Sequence, residues 1–274
     1  MNAIFTVARK EFQDGLRNRW VLAIALMLAL MAVGIAYFGA AASGGLGFTS
    51  LATTVVSLST LAVFLIPLIA LLLAYDAIVG EQEAGTLLLL LTYPMSRSTL
   101  LLGKFLGHGL ILGVATASGF GIAGIAIALG APDVDLLALA RSIGLLIVSS
   151  VLLGWVFIAF AYLISVWVAE KARAAGLALI IWFLFVLVFD LALLALLVGA
   201  QHGGDWLPYL LLLNPTDCFR LINLAGIEAA QAYSGLTALA RENAFQPIWL
   251  MLILLGWIVV PLSLALLRFR HRSV

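Results

Sequence analysis

One cysteine, Cys218, stands in a chain of 274 residues. An internal disulfide or a cysteine metal cluster needs more than one thiol, so both are excluded. Charge is scarce too. Asp, Glu, Lys and Arg make up 10% of the chain, where a soluble globular domain has about a quarter. The net charge of +1 leaves no electrostatic footprint for nucleic acid. No H-E-x-x-H, no G-x-S-x-G and no pair of intramembrane carboxylates appears, so no motif for metalloprotease or serine-hydrolase chemistry is present. What abounds is apolar: 65% of residues are hydrophobic and the mean hydropathy is +1.21. The bilayer is the main solvent of such a chain.

A spanning helix needs about 20 apolar residues. Six stretches qualify, at roughly 20–39, 50–75, 103–130, 142–168, 175–199 and 248–267. They show no period-2 alternation, so the expected fold is all-α with six transmembrane helices in a single domain over 1–274. Lys and Arg set the orientation. Eleven of the fourteen fall at the N-terminus (Arg9, Lys10, Arg17, Arg19), the second connection (Arg97, Lys104), the fourth (Lys171, Arg173) and the C-terminus (Arg268, Arg270, Arg272). Only Arg141, Arg220 and Arg241 fall on the other side, beside Asp133, Asp135, Asp205, Asp217, Glu228 and Glu242. Both termini are therefore expected in the cytoplasm. The "GAAAS" after the first span resembles a cleavage site, but an apolar core of about 19 residues exceeds the roughly 7–15 of a signal peptide.

Before the first span, Ile4, Ala8, Phe12 and Leu16 recur every four residues, with Arg9, Lys10, Glu11 and Asp14 largely off that stripe. This predicts an interfacial amphipathic helix over 1–19, with a plain basic flank as the alternative. Beyond the fifth span, 200–247 is a long extracytoplasmic connection with turn signals at Gly203-Gly204, Pro208 and Asn214-Pro215-Thr216-Asp217. In that tetrad Pro215 is read as a turn and Thr216 as a helix cap. One or two amphipathic helices on the outer face should follow, either a docking platform or an element capping the bundle. A bundle of six spans is small for a transport path, which suggests a dimer.

The run "VGEQEAGTLLLLLTYPMSR" at 79–97 is the most informative stretch. Gly80 and Gly85 have the glycine spacing of a phosphate loop, but Thr86 stands where a Walker A lysine must be, and Glu81 and Glu83 would repel phosphate. ATP binding by this chain is excluded. Five leucines are too few to span. The expectation is a cytoplasmic helix over 80–95, with Glu81 and Glu83 solvated, Thr86 capping it and Tyr93-Pro94 stopping it. Its apolar faces must bury against the bundle or a partner.

The stretch "YDAIVGEQEAGTLLLLLTYPMSRSTLLLGK" resembles the cytoplasmic loop of ABC-2-type permeases: acidic residues, Gly-Thr-Leu, further leucines, a proline, Ser/Arg, then Gly-Lys. Here these are Glu81, Glu83, Gly85, Thr86, Leu87, Pro94, Ser96, Arg97, Gly103 and Lys104. The opening "ARKEFQDGLRNRW" and the "NP" at 214–215 are similar to the family's N-terminal helix and to its motif before the last span. The overall run is also similar to the permease subunits of the ABC systems that mature nitrous oxide reductase. The resemblance implies an ABC-2 permease fold in the bacterial inner membrane and a permease homodimer. It implies a separate cytoplasmic ATPase dimer holding the ATP and Mg, a periplasmic β-helical partner, and a role in assembling a copper–sulfur centre. No cofactor is expected on this chain itself. The ATPase would dock on 80–95 and 169–174, touching Glu81, Glu83, Gly85, Thr86, Leu87, Glu170, Lys171 and Arg173. Asp217 and Arg220 are the candidate contacts for the outer partner. The rivals are an ABC-2 exporter of lipid, drug or polysaccharide and a stand-alone secondary transporter.

Four further features leave alternatives open. Asp190 lies deep in the fifth span; it lines a path, pairs, or is satisfied by a neighbour. Met27 and Met31 are spaced for one helix face, as packing or as soft ligands for copper. Cys218 is an outer thiol that meets copper or sulfur, or is merely tolerated. Gly109, Gly113, Ala117 and Gly121 form a small-residue stripe for helix packing, and His108 near the cytoplasmic end of that span is read as packing too.

Overall fold

A computed structural model of the chain describes residues 3–17, 19–38, 50–131, 134–199, 207–224 and 245–271. All regular structure among them is helical: α1 Ala3–Arg17, α2 Arg19–Phe38, α3 Leu51–Ala74, α4 Val79–Glu83, α5 Thr86–Leu91, α6 Arg97–Gly130, α7 Leu136–Trp167 and α8 Lys171–Phe183. A π-helical segment, Leu184–Val188, carries α8 into α9, Phe189–Gly199. Then come α10 Leu207–Leu210, a 3₁₀ turn Leu211–Leu213, α11 Pro215–Leu224 and α12 Pro247–Arg270.

Five of these helical stretches are long and apolar enough to cross a membrane: Leu51–Glu83, Arg97–Gly130, Leu136–Trp167, Lys171–Leu196 and Pro247–Arg270. The chain is a multi-pass membrane protein. α2 is a further apolar helix, of 20 residues. Caps push several helices past the expected span ends. Ser96 accepts from the Thr99 N–H at 3.1 Å, so α6 starts at Arg97. The Asp135 carboxylate accepts from the N–H groups of Leu137 and Ala138 at 2.9 and 3.3 Å. That cap starts α7 at Leu136, inside the connection expected over 131–141, and places Arg141 in a helix. At 34 and 32 residues, α6 and α7 are about 50 Å long, well beyond the roughly 30 Å hydrocarbon core.

α7 is the hub, packed against α3, α6, α11 and α12. α8 and α9 sit at the periphery: 17% of their apolar window is buried, against 67% for α3. α1 runs along the first half of α6 in the same direction, with Val7 over Gly103, Glu11 over Gly107 and Gly15 over Ile111. A Cβ at Gly107 would come 2.5 Å from the Glu11 Cβ and 3.0 Å from the Ala8 carbonyl oxygen. The buried face of α1 is thus Ile4, Val7, Ala8, Glu11 and Gly15, and the expected stripe member Leu16 is 40% exposed. Glu11 faces inward because a cation awaits it there.

The expected α6 stripe is only partly used. Gly109 lies against Trp155, whose indole N–H donates to its carbonyl at 3.2 Å, but Ala117 is exposed and nothing approaches Gly121. The tight approaches fall at Gly103 and Gly107 against α1, and at Gly119 against Leu28 of α2.

At one end of the bundle Arg97 donates to the carbonyls of Phe269 and Arg270 at 3.3 and 3.5 Å, and Arg270 donates to Ser98 at 2.7 Å. Arg268 stacks on Trp167, 5.8 Å from the ring centre. The end of α12, the start of α6, the end of α7 and α1 therefore share one end, together with α4 and α5.

Candidate functional site

Between α3 and α6 the chain makes two short helices whose termini need outside partners. The hydroxyl of Ser165, buried on α7, accepts from the N–H groups of Ile78 and Val79, both at 3.0 Å, and so fixes the start of α4 to the bundle. Gly85 then turns the chain with φ +71°, a conformation that favours glycine. Gly85, and not Thr86, occupies the cap position of α5; the Thr86 hydroxyl instead donates back to the Glu81 carbonyl at 3.2 Å. α5 ends at Leu91, where the Thr92 hydroxyl donates to the Leu89 carbonyl at 2.7 Å, just before Tyr93-Pro94.

The five leucines divide by helical period. Leu87 is buried, and Leu90 and Leu91 pack on the core with it. Leu88 and Leu89 are 58% and 65% exposed, beside Tyr93 at 62%. Leu87, expected at a partner surface, belongs to the interior of this chain.

Glu81, before α5, also turns inward. Lys104 of α6 is 4% exposed. Its ammonium lies 2.7 Å from Glu81 of α4 and 3.0 Å from Glu11 of α1. Burial pushes the Glu11 carboxyl up, but the Lys104 ammonium outweighs it and holds the group below its ordinary range. Lys171 pairs with Asp76 at 2.6 Å, and its backbone N–H, at the start of α8, donates to the Glu83 carboxylate at 2.6 Å. His108 shares a 2.8 Å hydrogen bond with the buried Tyr162 hydroxyl and sits 4.0 Å from Glu11. A cavity of about 350 Å³ opens among Glu11, Asp76, Glu81, Lys104, His108 and Lys171. The expectation that Glu81 is simply solvated is therefore corrected, since the buried Lys104 ammonium claims it; Glu83 is exposed as expected and also accepts from the Lys171 backbone N–H. Gly85, Thr86, Glu170 and Arg173 are exposed, the last two joined at 2.9 Å.

A second polar cluster lies in the other half of the bundle, around α11. Cys218, Phe219 and Ile222 are fully buried, so α11 is wedged against α3, α7 and α12 and does not lie on an outer face. Pro215 opens the helix, and Asn214 caps it by accepting from the Thr216 N–H at 3.0 Å; Thr216 is not the cap. The Asn214 amide donates to the Phe185 carbonyl at 2.9 Å, and the Thr216 hydroxyl reaches the same oxygen at 3.3 Å. Phe185 lies in the π-helical turn, whose altered hydrogen-bond register leaves carbonyls in need of outside donors. Arg220 bridges Asp190 at 2.7 Å and Asp217 at 2.9 Å. Asp190 is thus paired within its own chain. Asp217, 3% exposed, and Arg220 face this cluster instead of an outer partner. Burial and the neighbouring Asp190 push Asp217 up to about 7, against the pull of Arg220. The Cys218 thiol is also buried and pushed up to about 12, so it is no outer thiol. The rest of the expected outer connection, 200–206 and 225–244, lies outside the described residues.

Among the described residues no three of His, Cys, Asp and Glu come together as metal ligands. Sequence reasoning missed Lys104, Ser165 and Asn214 as organising residues. Lys104 read as a positive flank and as the lysine of the loop motif, with no sign of its two partners, and a lone serine in "YLISVW" gives no signal at all.

The sequence matches the family model described as ABC-2 family transporter protein over residues 5–274. The chain belongs to the ABC-2 transporter family. It is 59% identical over 274 residues to the "Probable ABC transporter permease protein NosY" of Stutzerimonas stutzeri, covering 99% of each chain. It is 57% identical over 276 residues to the protein of the same name from Pseudomonas aeruginosa, covering all of both. Membership of this family implies an ATPase partner, and the two relatives are named as permease proteins.

Proposed function

We propose that this chain is the membrane subunit of an inner-membrane ABC system, with both termini and α4–α5 in the cytoplasm. It couples ATP hydrolysis by a separate ATPase dimer to transport or force transmission across the membrane. In this reading α2 is the sixth span and two copies of the chain form the permease. The service performed is assembly of the copper–sulfur centre of nitrous oxide reductase, with a periplasmic β-helical protein as the outer partner. Its support is the full-length similarity to permeases named NosY.

One observation carries the coupling part. Leu88 and Leu89 project from α5 and Tyr93 from the turn after it, while the preceding α4 is fixed to α6, α7 and α8 by Lys104, Ser165 and Lys171. An apolar knob on a polar-anchored base is built to be pushed. It sits at the end that gathers Arg97, Arg268 and Arg270, the cytoplasmic end by the positive-inside rule. The test is co-purification of the tagged permease with its ATPase in mild detergent. Leu88→Asp with Leu89→Asp should leave the permease folded and strip the ATPase from it. Retention of the ATPase by that variant, or its absence from the unmodified protein, overturns the reading.

A further inference from the structure

The coupling reading says where a push arrives, and the next inference, which rests on it, says where the push goes. We propose that Lys104 is an ionic joint that transmits the displacement of α4–α5 to the N-terminal helix, so that α1 is a moving part of the machine and no passive anchor.

Three observations support this. Lys104 is almost wholly buried, yet its side chain contacts two helices other than its own: Glu81 of α4 at 2.7 Å and Glu11 of α1 at 3.0 Å. A buried ammonium shared by two carboxylates holds both, because detaching either leaves a charge poorly solvated. Second, the space around this bridge is not filled. The cavity of about 350 Å³ there is lined by Glu11 of α1 and by Gly80 and Glu81 of α4, so the two helices face each other across it. The Lys104 ammonium, touching both carboxylates, is the link between them that the structure shows. Third, α1 is placed to follow. It packs along α6 with Val7 over Gly103, Glu11 over Gly107 and Gly15 over Ile111, so a displacement taken up at Glu11 is carried by the whole helix. Its outer side, including Phe5, Thr6, Arg9 and Lys10, is exposed.

The experiment uses the intact permease–ATPase complex in lipid nanodiscs. Paired spin labels are placed at Thr6 on α1 and Val148 on α7, or at the exposed Thr92 that caps the end of α5, away from Leu88 and Leu89, and Val148. Cys218 is buried and stays unlabelled. In the unmodified complex both distances should shift when ATP is added. In Lys104→Met the α5 shift should persist and the α1 shift should be lost, and Lys104→Arg should restore it. Glu11→Gln is the milder variant if Lys104→Met fails to fold; it should reduce the α1 shift and leave α5 alone. An α1 shift unchanged in both Lys104→Met and Glu11→Gln, or an α1 that never moves while α5 does, overturns the joint alone. An α5 label indifferent to ATP overturns the coupling reading, and the joint with it.

Discussion

Replacing Asn214 should be among the most damaging single changes in the half of the bundle around α11. The residue is fully buried and uses both ends of its amide. Its oxygen accepts from the Thr216 N–H at 3.0 Å and the Thr216 hydroxyl at 2.9 Å. Its nitrogen donates to the Phe185 carbonyl at 2.9 Å and to Asp217 at 3.1 Å. Asn214→Ala orphans the Thr216 N–H and leaves the π-turn carbonyl with only a 3.3 Å hydroxyl. At about 1–3 kcal/mol for each of these two buried groups, the loss sums to about 2–6 kcal/mol. For a chain of this size that corresponds to a fall in Tm on the order of 10 °C, read by intrinsic-fluorescence melting in detergent. Asn and Asp cap helices about equally well. Asn214→Asp therefore isolates the amide nitrogen: it keeps the cap, loses the donor and sets a carboxylate against Asp217. It should melt at least as low as Asn214→Ala, while Asn214→Ser, keeping an acceptor, should lose roughly half as much. A melting point for Asn214→Asp equal to the unmodified protein would refute the role assigned to the π-turn.

Three further outcomes are expected. Gly107→Leu should lift α1 from α6, since even a Cβ there meets the Glu11 Cβ at 2.5 Å; tryptic cleavage at Arg9 and Lys10 should accelerate. Gly113→Ala, whose nearest neighbour is 3.9 Å away, should leave cleavage unchanged. Ser165→Ala removes the acceptor of two N–H groups; hydrogen exchange at Ile78 and Val79 should rise by about tenfold or more, for a loss of about 1–3 kcal/mol. Asp217 is raised to about 7 from an ordinary 3.8, so the folded protein binds its proton more tightly than the unfolded chain. That contribution is fully present below pH ~3.8 and is lost as pH rises through ~7. Melting at about pH 5.5 should exceed that at about pH 8, and Asp217→Asn should flatten the difference.

The spans were legible because apolar length is a collective signal spread over about 20 residues. The five leucines were legible as a helix too, and their division into inward Leu87 and outward Leu88 and Leu89 follows from the helical period once the bundle side is known. What stayed hidden depends on single tertiary partners. Thr86 reads as a cap, but Gly85 takes that position because its positive φ reverses the chain between two short helices. Asp217 and Arg220 read as outer-face residues because three-residue spacing cannot reveal that Asp190, 30 residues away in sequence, completes their cluster. The π-helical turn left no mark in "FLFVLVFD", since its cause is the Asn214 amide arriving from another segment.

Lys104 shows why such misreadings matter for mechanism. A lysine near the start of a span is ordinarily a topological marker that snorkels to water. Here Gly103 and Gly107 bring α1 so close that the ammonium is covered, and the marker becomes a bridge between Glu11 and Glu81. Methyl contacts slide at small cost, whereas separating a covered ion pair exposes a charge to a medium that solvates it poorly. A short helix that must deliver a push into an apolar bundle is therefore better served by a few buried charges than by more leucines. On that logic the exposed Leu88 and Leu89 receive the force, and Glu81, Lys104 and Glu11 carry it onward.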